Sequence, residues 1–176
     1  NQVDWTNEEQ WQQAIKKTRQ ELGSIELLVN CAGVFTRGDI LDLSVEEWDS
    51  CIELNLRVPF LLCKEVIPDM ITAGWGRIIN IGSTSSYDGF AGSGAYCASK
   101  HALLGLSRTL YNELSSKNIR VHIVSPGTVD TEMIKDLNVH NPATLISPDV
   151  VADMVALLAS QSCLLYTSPS PRDGLL

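Results

Sequence analysis

The chain has 176 residues, of which 44% are hydrophobic and 19% charged, and its formal net charge is −8. That suits one soluble domain with a buried core. The acidic balance repels phosphate backbones and argues against a nucleic-acid partner, and no apolar run reaches the ~18 residues of a membrane-spanning helix.

The opening Asn1-Gln2-Val3-Asp4 has no Met, no basic start and no apolar stretch. It is not read as a signal peptide, and Asn1 need not be the natural first residue. Thr6-Asn7-Glu8-Glu9 reads as a capping box with Thr6 bonding the Glu9 amide. Trp11, Ala14, Ile15, Thr18 and Leu22 then recur at helical spacing, and Gly23 closes the helix. Residues 25–30 are a short apolar run, expected to be a parallel strand buried on both faces.

After a loop from Phe35 to Leu43, Ser44-Val45-Glu46-Glu47 forms a second capping box. One long helix is predicted over 45–71, interrupted at Pro59. A strand at 77–81, a glycine-rich loop at 82–94, a helix at 95–115 and a strand at 119–124 follow. A looser stretch, 128–147, precedes a last helix at 148–160. Residues 163–176, with Pro169 and Pro171 and no periodicity, read as a non-native or disordered tail behind a single domain, 1–162. Alternating helices and strands point to an α/β fold with a doubly wound parallel sheet. In such sheets ligands sit beyond the carboxyl ends of the strands. Here those ends are Asn30-Cys31-Ala32-Gly33, Ile81-Gly82-Ser83 and Ser125-Pro126-Gly127.

The five cysteines are scattered, with no Cys-x-x-Cys, which fits reduced, mostly buried thiols in the cytoplasm. His101, His122 and His140 share no ligand spacing with other donors, so no metal site is expected. Trp5, Trp11, Trp48 and Trp75 are expected as packing anchors, His101 as helix surface and Cys97 as core-facing. Gly-x-Ser-x-Gly is absent, so no serine hydrolase is indicated.

Tyr96 and Lys100 stand four apart on a helix and share a face, about 6 Å apart along the axis. A cation there is expected to lower the phenol pKa and make Tyr96 an acid or base. Taken alone, the pair equally describes a surface contact. Ser83, at a strand end, offers a hydroxyl to a carbonyl that Tyr96 protonates, or is simply one of several loop serines. Pro59 has no N–H, so the Asn55 carbonyl loses its helical donor and is free to anchor a water. A tolerated kink is the plain alternative. Asn30-Cys31-Ala32-Gly33 and Pro126-Gly127 end strands in small residues that let a ligand approach, or are ordinary turns.

Together these features resemble the short-chain dehydrogenase/reductase family over roughly residues 3–160. Asn30-Cys31-Ala32-Gly33 is similar to the family's Asn-Asn-Ala-Gly, with Cys31 in place of the second Asn. The resemblance implies a Rossmann-like fold binding NAD or NADP, and hydride transfer between the nicotinamide and a carbonyl or alcohol. Asn55, Ser83, Tyr96 and Lys100 match the catalytic set. Tyr96 would be the proton donor, Ser83 would orient the carbonyl, and Lys100 would bind the ribose and tune Tyr96. The Asn55 carbonyl would hold a water leading to solvent. Cofactor contacts implied are Asp4 (adenine), Asn30, Ala32, Gly33, Tyr96, Lys100, Pro126, Gly127, Val129 and Thr131.

Within the family the chain is similar to 3-oxoacyl-carrier-protein reductases and to sugar or steroid alcohol dehydrogenases. Sugar epimerases and dehydratases share Tyr-x-x-x-Lys, but Pro126-Gly127 with Thr131 favours the simple reductases. The expected partner is a small carbonyl or alcohol substrate, without nucleic acid or membrane. Homo-oligomers are expected through the two long helices, using stripes such as Leu103, Leu104, Leu106 and Leu110. The family's Gly-x-x-x-Gly-x-Gly pyrophosphate grip does not occur in these residues. The domain is therefore expected to be incomplete, with an exposed apolar strand edge and poor solubility. A degenerate, binding-only protein is the alternative reading.

Overall fold

A computed structural model describes residues 3–135 and 144–160. The expected tail at 163–176, His140 and the middle of the expected 128–147 loop lie outside the described residues. The elements run α1 (Glu8–Leu22), β1 (Leu27–Asn30), α2 (Val45–Ile52), a π-helical turn (Glu53–Arg57), α3 (Val58–Ala73), β2 (Gly76–Ile81), α4 (Gly94–Leu114), β3 (Ile119–Val124) and α5 (Pro148–Ser160). The sheet is parallel, in the order β1-β2-β3, with Leu28 opposite Ile78 and Ile78 opposite Val121. Helices α1, α3 and α4 cover one face and α5 the other, as a doubly wound sheet requires.

Strand parity sorts the side chains. Leu28, Ile78, Ile119 and Val121 face α1, α3 and α4, where Trp11, Ile15, Leu62, Val66, Met70, Leu110 and Leu114 complete the main core. The opposite parity, with Leu27, Val29 and Ile81, faces a cleft beside α5. Because α5 stands over β2 and β3, β1 is only half covered, and Leu27 and Val29 remain 43% and 37% exposed. This corrects the expected burial of β1 on both faces.

Three further expectations change. The cap of α1 is Asn7, whose side chain accepts from the Gln10 amide at 3.1 Å. Thr6 is turned the other way, its hydroxyl donating to Asp4 at 2.7 Å. On α4, Leu103, Leu104 and Leu110 are buried in this chain's own core, and Leu106 packs against it. They are therefore not an outward stripe. Trp48 is exposed rather than an anchor, whereas Trp11 is buried as expected. The Ser44–Glu47 capping box forms as read.

A buried polar chain crosses the sheet. Asn30 donates to the Asn80 carbonyl oxygen at 2.7 Å, and Asn80 donates to Ser107 on α4 at 2.8 Å. Ser107 in turn donates to the Leu103 carbonyl. Asn80 is fully enclosed, so its removal leaves the buried Asn30 amide with only the weakly accepting Cys63 sulfur. Asn80→Ala is expected to cost about 2–3 kcal/mol. A urea-melt midpoint left unchanged would show that the chain of bonds carries no stability.

Candidate active site

All three strand ends open into one cleft of about 720 Å³, within the range of small-molecule sites. Cys31 and Gly33 follow β1, Gly82 and Ser83 follow β2, and Pro126 and Gly127 follow β3. Tyr96 and Lys100 enter it from the first turns of α4. Val129 and Thr131 line its outer part. Asn55, Ser83, Tyr96 and Lys100 thus come from a helix break, a strand end and a helix start, and converge from three directions.

The break in the second helix takes a form the sequence did not specify. It is a full π turn, in which the Val58 amide reaches back five residues to the Glu53 carbonyl. Pro59 follows at the start of α3 and offers the Asn55 carbonyl no donor. The Asn55 side chain is buried. Its Oδ1 accepts from the Val34 amide at 2.8 Å, and its Nδ2 donates to the Val34 carbonyl at 2.9 Å. This two-way clamp fixes the loop after β1. A Cβ on Gly33 would lie 3.1 Å from Asn55 Oδ1, close enough to press on the clamp. Gly82 is more tightly hemmed in, its added Cβ falling 2.7 Å from Ser125 Oγ.

Lys100 is almost entirely buried and donates to the Ile81 carbonyl at 2.8 Å. Burial pulls its pKa down to about 8. Its Nζ lies 5.5 Å from the centre of the Tyr96 ring. Phe35 also packs edge-on against that ring, the two centroids 4.9 Å apart. The nearby Ser83 hydroxyl favours the ionised phenol. Burial nevertheless outweighs that effect and holds the Tyr96 pKa above its ordinary value. The expected lowering of the Tyr96 pKa is therefore corrected. Desolvation dominates, and the phenol stays protonated through the neutral range.

Not every expected cofactor residue reaches the cleft. Asn30 points into the core, spent on Asn80. Asp4 lies outside the cleft lining, its carboxylate held by the Thr6 amide and hydroxyl. Ala32 is exposed but does not line the cleft. Phe35 and Ser99 were not singled out from sequence. Ser99 had a signal, since it interrupts the stripe Ala95, Leu103, Leu110, Leu114 with a hydroxyl that must find a partner. Cys97 is buried, and His101 sits on the surface of α4. Among the described residues no cluster of His, Cys, Asp or Glu could hold a metal, and no helix is long and apolar enough to cross a membrane.

The cleft is roomy at the strand ends, and the Lys100 ammonium has three protons, of which the Ile81 carbonyl takes one. The remaining donors suit a vicinal diol.

A family model described as short chain dehydrogenase matches residues 1–142. The chain is 37% identical over 169 residues to trans-4-hydroxycyclohexanecarboxylate dehydrogenase of Sinomonas cyclohexanicum, covering 94% of this chain and 65% of that protein. It is 34% identical over 171 residues to a 3-oxoacyl-acyl-carrier-protein reductase of Vibrio cholerae, covering 92% and 70%. Among solved structures, a gluconate 5-dehydrogenase from Burkholderia cenocepacia in complex with NADP and tartrate superposes with a TM-score of 0.81 at 26% identity, covering 91% and 66%. The chain thus spans about two thirds of the length of these relatives.

Proposed function

The chain belongs to the short-chain dehydrogenase family, and from that premise we propose that it carries the proton-transfer machinery of an oxidoreductase acting on a small carbonyl or secondary alcohol with NAD or NADP. The observation that carries the reading is the convergence of Ser83, Tyr96 and Lys100 at one cleft, with Asn55, whose carbonyl Pro59 denies its helical donor, clamped to the loop after β1. A bound nicotinamide would supply the hydride; this chain's residues handle the proton. In reduction Ser83 holds the substrate oxygen and the Tyr96 phenol gives it a proton as charge develops there. The raised pKa of Tyr96 keeps that proton in place until an acceptor arrives. Lys100 then steadies the phenolate left behind, and a water on the Asn55 carbonyl restores the proton. Oxidation reverses each step.

Lys100, Gly33, Pro126, Gly127, Val129 and Thr131 are the residues we assign to the nicotinamide end. Asp4, Asn30 and Ala32 lie outside the cleft lining and are left out of that assignment. We place the protein in the cytoplasm, which suits the free thiols of Cys31, Cys51, Cys63 and Cys97. Assembly into oligomers would use the outward face of α3, where Phe60 and Ile71 stay exposed. Oxidation of NADH or NADPH by a panel of simple ketones, 3-oxoacyl thioesters and keto sugars, measured on the protein at its full natural length, tests the reading. Saturable turnover on one class is expected. Tight cofactor binding with no turnover on any class would leave a binding protein instead.

A further inference from the structure

Ser99 lies between Tyr96 and Lys100 in the chain and is wholly buried. Its hydroxyl donates to the Tyr96 carbonyl at 2.7 Å. In an α-helix that same carbonyl is the acceptor for the Lys100 amide one turn on. The hydroxyl therefore fastens the one helical turn that joins the proton donor to the cation. From the other side, Asn55 Nδ2 donates to Ser99 Oγ at 3.1 Å, and the Cys51 thiol lies 3.9 Å from it.

The directions of these bonds are settled by counting protons. Asn55 Nδ2 carries two, directed to the Val34 carbonyl and Ser99 Oγ, with Cys51 Sγ alongside at 3.3 Å. The single Ser99 proton goes to Tyr96. A continuous run of bonds thus links the loop after β1, the π turn and the catalytic turn of α4. Nothing else in the run can replace Ser99, because it alone both accepts from Asn55 and donates to α4.

We propose that Ser99 is a positioning residue: it sets the spacing between the freed Asn55 carbonyl and the Tyr96–Lys100 turn. Its kinetic consequence rests on the oxidoreductase reading; its structural consequence does not. The molecule supplies a matched control. Ser107 sits on the same helix, is also buried and donates to the Leu103 carbonyl on that helix, yet the amide it accepts from is that of Asn80 on the sheet and not Asn55.

The test compares Ser99→Ala with Ser107→Ala by steady-state kinetics across pH, and by NMR titration of ring-labelled Tyr96 without cofactor or substrate. Ser99→Ala is expected to lower kcat roughly 10- to 100-fold with KM changed less than about twofold. The Tyr96 titration midpoint should move by about half a pH unit or more. Ser107→Ala should lose stability and leave both readouts in place. Equal kinetic effects of the two substitutions, with Tyr96 titrating as before, would overturn the proposal. Should Ser99→Ala not fold, Ser99→Cys keeps the volume and a weak donor, and is held to the same two readouts. A wild-type protein that reduces no carbonyl, but whose Tyr96 titration responds to Ser99→Ala, would sink the reaction and keep the positioning role.

Discussion

Tyr96→Phe is expected to remove turnover by a factor of about 10² to 10⁴, the usual share of a positioned general acid, while leaving the fold and cofactor binding intact. The substitution deletes one oxygen. The ring itself is held by its edge-on contact with Phe35 and by the cation 5.5 Å away, neither of which needs the hydroxyl. The Ser83 hydroxyl near the phenol accepts from the Ser85 amide at 3.1 Å and so keeps a partner in the variant. The measurement is kcat for the best ketone beside cofactor affinity by fluorescence. Turnover within a few-fold of wild type would remove Tyr96 from the chemistry and, with it, the proton path described above.

Lys100→Met is expected to abolish turnover and yet make the protein more stable. The ammonium is buried, and its pKa has fallen from 10.5 to about 8. At about 1.4 kcal/mol per tenfold change in protonation, keeping it charged in the fold costs about 3 kcal/mol. Losing the bond to the Ile81 carbonyl takes back about 1 kcal/mol. The sign with pH follows from the depressed value. Between about pH 8 and 10.5 the unfolded chain holds the extra proton, so wild-type stability rises with pH across that window, and the penalty is in full force below it. Urea melts of both proteins at pH 7 and 9.5 should show a gain for Lys100→Met that shrinks at the higher pH. A loss of stability at pH 7 would mean that the ammonium is better solvated in the cleft than its burial indicates.

Such a penalty, kept at a site that needs a cation, is the signature of function placed against stability. It also shows what the sequence could carry. Tyr96 and Lys100 were readable because helical spacing alone puts them on one face. Their electrostatics were not, because the pKa of a phenol depends on how deeply the surrounding chain encloses it, and no spacing rule contains that depth. The freed carbonyl of Asn55 was readable from Pro59, since a missing N–H is a local covalent fact. The π turn that accommodates it depends on α2 meeting α4 and α3 meeting the sheet, which are long-range contacts.

The helices and strands were legible wherever periodicity was strong, as in 119–124 and 148–160, which match β3 and α5. Caps were harder. Thr6 and Asn7 are both good capping residues, and the choice fell to Asn7 because Asp4 captures the Thr6 hydroxyl. The leucines of α4 look the same in sequence whether they face a partner or the chain's own sheet. Asn30 entered the expected cofactor set through the Asn-Asn-Ala-Gly resemblance; its side chain faces the core and bonds Asn80, a partner that only the strand register brings beside it.

The π turn has a consequence for helical phase. Cys51 and Met70 are both buried, one on each side of the turn. Five turns of an ideal α-helix span about 18 residues, and the step from position 51 to position 70 is one longer. The wide turn takes up that residue, so that the buried stripe runs through Asn55 without rotating out of the core. Removing any one residue from 53–57 would swing α2 by about 100° about its axis. Cys51 would leave α4 and its contact with Ser99. This stretch of the chain is therefore intolerant of a change in length, although single side chains such as the exposed Arg57 can vary freely.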